Sequence, residues 1–67
     1  MEYSNSQIKA LILDYIHSSR DRKILYKRMV DKAKIKDLAE EFDLSTAQIN
    51  RIIYKGKEII FRHFPGE

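Results

Sequence analysis

Apolar residues recur at intervals of three and four along most of the chain, the spacing that lines side chains up on one face of an α-helix. Ile8, Leu11, Ile12, Tyr15 and Ile16 form the first such stripe. Ser4 and Gln7 stand at capping-box spacing before it, and the helix is expected to end near His17-Ser18-Ser19. A second helix is expected behind Ser19 as N-cap. Asp21 lies favourably in its first turn, and Ile24, Leu25, Met29 and Val30 are its apolar residues. The loop Asp31-Lys32-Ala33-Lys34 holds neither Gly nor Pro and ends that helix only weakly. A third, short helix from Ile35 to about Phe42 aligns Ile35, Leu38, Ala39 and Phe42, with Lys34 offering no acceptor oxygen to cap it. The fourth begins behind Ser45, which forms another capping box with Gln48, and continues through Ile49, Ile52, Ile53, Ile59 and Ile60. Gly56 is expected to interrupt it at a cost of about 1 kcal/mol relative to Ala, and Pro65-Gly66 to close it. The pattern predicts an all-α fold, a small four-helix domain filling residues 1–67 as one unit.

The run from Ile35 to Ile52 has the spacing of a helix-turn-helix. Two short helices that cross steeply need a small side chain where they meet, and Ala39 supplies it. The turn needs a residue that tolerates φ > 0, a place usually held by Gly, and Asp43 is an acceptable substitute. Leu44 plugs the turn into the core, Ser45 caps the next helix, and Ile49 and Ile52 anchor that helix against Leu38 and Phe42. This anchoring leaves Thr46, Ala47, Asn50, Arg51 and Tyr54 on the solvent face, where a recognition helix (about residues 45–62) meets base edges in the major groove. Arg51 can donate two hydrogen bonds to guanine, Asn50 can pair with adenine, and Ala47 or the Thr46 methyl can touch a thymine methyl. Ser45 and Gln48 complete the interface at the helix start. Lys55, Lys57 and Arg62 suit phosphates, which set register without reading sequence. The plainer alternative is an ordinary structural two-helix corner.

Charge sharpens this picture only through its distribution. The net charge of +3 in 67 residues is mild. Within residues 35–44, however, Lys36 faces Asp37, Glu40, Glu41 and Asp43, while residues 45–64 carry Arg51, Lys55, Lys57 and Arg62 against Glu58 alone. A basic segment beside an acidic one indicates a localised anion-binding face. The chain has no cysteine, which excludes disulfides and thiolate metal sites. It has no apolar run near the roughly 20 residues of a membrane span, and its N-terminus lacks the basic start and apolar stretch of a signal peptide. The expected location is therefore the cytoplasm.

The residues Phe42-Asp43-Leu44-Ser45, then Gln48-Ile49-Asn50-Arg51-Ile52, then Lys55 and Arg62-His63-Phe64-Pro65, resemble region four of bacterial sigma factors. That family shows a Phe-Asp-Val-Thr turn, an Ile-Arg-Gln-Ile core and a basic C-terminal run. Upstream, Ser19-Arg20-Asp21-Arg22-Lys23-Ile24-Leu25 is similar to its Thr-x-x-Glu-x-x-Val-Leu helix opening, so the resemblance covers about residues 19–65. It implies a promoter-reading helix and contact with RNA polymerase. The family's arginine and glutamate at the start of the recognition helix stand here as Thr46 and Ala47, and its glutamine as Arg51, so the resemblance does not extend to the family's usual promoter element. The chain has no room for a promoter-melting region, which fits a small phage or mobile-element regulator better than a complete sigma factor.

Other candidates carry less. Asp14 and His17 share a helix face, but no third ligand accompanies them, so no metal is expected. No nucleophile–histidine–acid set and no Gly-rich phosphate loop is present, which points away from an enzyme and from any cofactor. The run Arg20, Arg22, Lys23, Lys27, Arg28 reads equally as a second phosphate contact or as the wet side of a helix. Tyr15 and Tyr26 suit the core edge. Ile53, Ile60, Phe61 and Phe64 exceed what one helix stripe buries. They either meet the first helix or form a surface for a homodimer or for polymerase. The expected function is sequence-specific binding of double-stranded DNA in transcription regulation. The alternative is a protein-binding adaptor or inhibitor that contacts RNA polymerase without reading DNA.

Overall fold

The computed structural model describes residues 4–63. Four helices follow one another, α1 (Asn5–Tyr15), α2 (Ser19–Met29), α3 (Ile35–Phe42) and α4 (Thr46–Arg62), with no strand among the described residues. The chain is thus all-α, as the apolar spacing predicts.

Local chemistry sets most boundaries. Ser4 and Gln7 close a full capping box at α1. Ser45 and Gln48 do the same at α4: the Gln48 N–H donates to Ser45 Oγ at 3.1 Å, and the Ser45 N–H donates to Gln48 Oε1 at 2.9 Å. Replacing Ser45 with alanine is expected to lower stability by about 1 kcal/mol, and an unchanged urea midpoint would show that the box contributes nothing. Lys34 precedes α3 without a side-chain cap. Asp43 ends α3 in the left-handed region at φ 56, and the Leu44 N–H reaches back to the Ala39 carbonyl at 2.9 Å, closing a 6→1 turn.

Two boundaries differ from expectation. The N-cap of α2 is Ser18, whose Oγ accepts from the Asp21 N–H, and Ser19 is already the first helical residue. Correspondingly α1 ends at Tyr15, two residues early. The cause is Arg22, whose guanidinium donates to the Leu13 and Ile16 carbonyls and so satisfies the end of α1 from the first turn of α2. Three residues, Ile16, His17 and Ser18, separate the two helices.

The core comprises Ile12, Ile16, Ile24, Leu25, Leu38, Ala39, Ile49, Ile53 and Ile60, and no polar side chain is buried among the described residues. The inward line of α4 runs through Ile49, Ile53, Gly56 and Ile60. Ile52, expected as an anchor, is half-buried on the flank of that line. Ile53 and Ile60, expected as surplus apolar surface, are core residues instead, because α1 and α2 both pack on α4. Of that surplus Phe61 alone is exposed, while Phe64 and Pro65-Gly66 lie outside the described residues.

Gly56 does not interrupt α4, which is continuous through it. A Cβ built at Gly56 would lie 2.3 Å from Leu25 Cδ1 and 2.9 Å from its Cγ. At the glycine α2 approaches α4 closely, and the α4 backbone meets a fully buried leucine. The Tyr15 and His63 rings stack at 3.8 Å with an interplanar angle of 2°, fastening the end of α4 to the end of α1.

Candidate nucleic-acid interface

The corner between α3 and α4 decides what α4 presents to solvent. Ala39 is buried at the corner and Leu44 is half-buried in the turn. With Ile49 and Ile53 inward, the 100° step of the helix turns Thr46, Ala47, Asn50, Arg51 and Tyr54 outward. All five are exposed, Tyr54 to 76%. An exposed tyrosine at the C-terminal end of this two-turn face, with an arginine and an asparagine one turn before it, combines stacking area with fork-shaped donors.

The remaining predicted residues divide by what already engages them. Ser45 and Gln48 are exposed, but Ser45 Oγ and Gln48 Oε1 are spent on the capping box, which leaves the Gln48 amide nitrogen as a donor. Lys55 is exposed and Lys57 half-buried. Neither they nor Arg51 forms an ion pair among the described residues. Arg62 pairs with Glu58 one turn earlier at 3.6 Å.

The basic run of α2 behaves differently from either reading of it as a block. Arg20 bonds Asp21 at 3.1 Å, and Arg22 caps α1. Lys27 pairs with Glu41 of α3 at 3.0 Å. Arg28 Nη1 donates to the Ala33 carbonyl at 2.8 Å, yet the residue still lines a groove with Ile35, Ala47, Asn50, Arg51, Tyr54 and Lys57. Most of the run is therefore structural, and Arg28 is the member that joins the outward face of α4. Sequence reasoning missed this selection because the partners of Arg22, Lys27 and Arg28 lie on another element or in a loop.

Charge on α3 opposes an anionic partner. Lys36, Asp37, Glu40, Glu41 and Asp43 are all exposed, and only Glu41 among these acids is engaged by a cation. The cations free of these carboxylates lie on α4, at the end of α2 and in the loop that follows it.

Among the described residues no three potential ligands cluster as a metal site, and no helix is long and apolar enough to cross a membrane. Comparison with protein-family models, curated proteins and solved structures finds no match to this chain.

Proposed function

We propose that the protein binds duplex DNA sequence-specifically, with α4 as the recognition helix of a helix-turn-helix, and that it regulates transcription. The observation that carries this reading is the outward face of α4: Ala47, Asn50, Arg51 and Tyr54 are exposed together on a helix capped at its N-terminus and pinned by Ile49 and Ile53. A rigid helix with a bidentate donor and small apolar contacts near its start matches what the major groove reads. Length supports a division of labour along it. Ala47 and Lys57 are ten residues apart, about 15 Å at 1.5 Å per residue, and the major groove is about 12 Å wide. With Ala47 at the bases, Lys57 reaches the phosphate wall. Thr46 and Ser45 lie at the entry to the groove, and Lys55 lies on the opposite flank from Lys57. The likeness of residues 19–65 to region four of sigma factors supports the same reading, and makes RNA polymerase a proposed partner.

The acidic surface of α3 favours a second reading, a protein-binding adaptor that contacts polymerase and repels DNA. Selection from random duplexes separates the two. The DNA reading expects enrichment of a definite sequence, and an affinity whose logarithm falls with log salt at a slope of about −2 or steeper, since Lys55 and Lys57 alone contribute roughly −0.9 each. No enrichment together with a flat salt response would sink it in favour of the adaptor.

A further inference from the structure

We infer that the groove between the α2–α3 loop and the middle of α4 is a phosphodiester-backbone site, formed by Arg28, Lys32 and Lys57. The inference rests on the duplex-binding reading and extends the phosphate contact of Lys57 beyond α4, to the end of α2 and the loop after it.

The three cations line one groove, together with Ile8, Met29 and Phe61, and no carboxylate lines it. Elsewhere the surface mixes signs: Arg20 has Asp21, Lys27 has Glu41, and Arg62 has Glu58. None of these carboxylates engages Arg28, Lys32 or Lys57. Converging like charges repel, and an anion that bridges them removes the repulsion. The carbonyl end of α2 adds only partial negative charge there, which three full cations outweigh.

Backbone geometry at Lys32 supplies an independent observation. Its φ is 63, in the left-handed region, where a glycine or asparagine would be relaxed and a lysine is strained. Strain of this kind concentrates at binding sites, where the side chain's role offsets its conformational cost. The loop is also fixed in place. The Ala33 N–H donates to the Lys27 carbonyl at 3.0 Å, and Arg28 holds the Ala33 carbonyl from the other side. Lys32 is thus presented from an ordered loop, which lowers the entropy lost when it meets an anion.

Continuity with the reading face identifies the anion. Arg28 and Lys57 line both this groove and the neighbouring one that holds Ala47, Asn50, Arg51 and Tyr54. A strand whose bases meet the first turns of α4 has its backbone running past Lys57 and on toward Lys32. A phosphodiester chain carries an anion at each step along this path, so one strand serves both grooves.

The test measures Lys32→Gly and Lys57→Gln against the wild-type chain on its selected duplex and on unrelated duplexes, across a salt series. Each variant is expected to weaken binding to all duplexes alike and to reduce the salt slope by about one. Lys32→Gly is also expected to keep or raise the thermal midpoint, so weaker binding by a fold at least as stable excludes misfolding as its cause. If the wild type binds duplex and both variants keep its affinity and slope, the backbone site is wrong while the recognition helix stands. A loss confined to the selected sequence would also overturn it, because it would make these residues base contacts. A wild type that binds no duplex removes the recognition reading and this one together.

Discussion

Gly56→Val is expected to cost the fold about 3 kcal/mol, the upper range for forcing extra atoms into a packed core, read as a fall in the urea midpoint. Folded domains carry roughly 0.05–0.15 kcal/mol per residue, or about 3–10 kcal/mol for this chain, so the loss is a large share of the total. Helix propensity alone predicts the opposite sign, since glycine is about 1 kcal/mol worse than alanine inside a helix. The contact decides between them. Even an alanine Cβ would lie 2.3 Å from Leu25 Cδ1, so the fully buried leucine has to shift within the core to make room. Leu25→Ala alone leaves a cavity and is expected to cost about 2–5 kcal/mol. The double variant should cost less than the two together, by on the order of 1 kcal/mol or more, because the valine fills part of what the leucine vacates. A Gly56→Val protein as stable as the wild type would refute the close approach of α2 and α4 on which the placement of α4 depends.

Arg51→Ala is expected to weaken binding to the selected duplex by about 1–3 kcal/mol, roughly 5- to 150-fold in Kd, and to flatten the preference at one base pair. Arg51 is exposed and has no ion pair among the described residues, so its removal takes nothing from the fold and the effect reads on binding alone. Repeating the selection with the variant locates the base pair. An equal loss on every sequence would demote Arg51 to a phosphate contact. No loss at all would move sequence reading to Asn50 and Tyr54, or remove it from α4 altogether.

Much of this site was legible before any coordinates. The serines at 4 and 45, each followed three residues later by glutamine, announce their helix starts, because a capping box closes within four residues. Asp43 marks the turn by its tolerance of positive φ, and the outward set on α4 follows from inward isoleucines at helical spacing. The α1–α2 junction was less legible. Ser18 and Ser19 are equivalent caps on paper. The choice falls to Ser18 because Arg22 bonds the end of α1 and brings α2 in early. The basic run on α2 looked uniform, and its members separated only once Asp21, Glu41 and the carbonyls of Leu13, Ile16 and Ala33 claimed most of them.

What the sequence by itself determined is whatever depends on near neighbours: four helices, two capping boxes, a left-handed turn and the polar face of α4. These are settled within one helical turn, where spacing is a direct measure of distance. Only the tertiary structure decided which of the adjacent isoleucines 52 and 53 goes inward, what Gly56 is for, and which cations remain available beside Lys32. Adjacent residues on a helix point only 100° apart, so the choice between them belongs to the helices packed against it. A glycine in the middle of a helix records no more than a missing side chain until the neighbour that occupies its place is known.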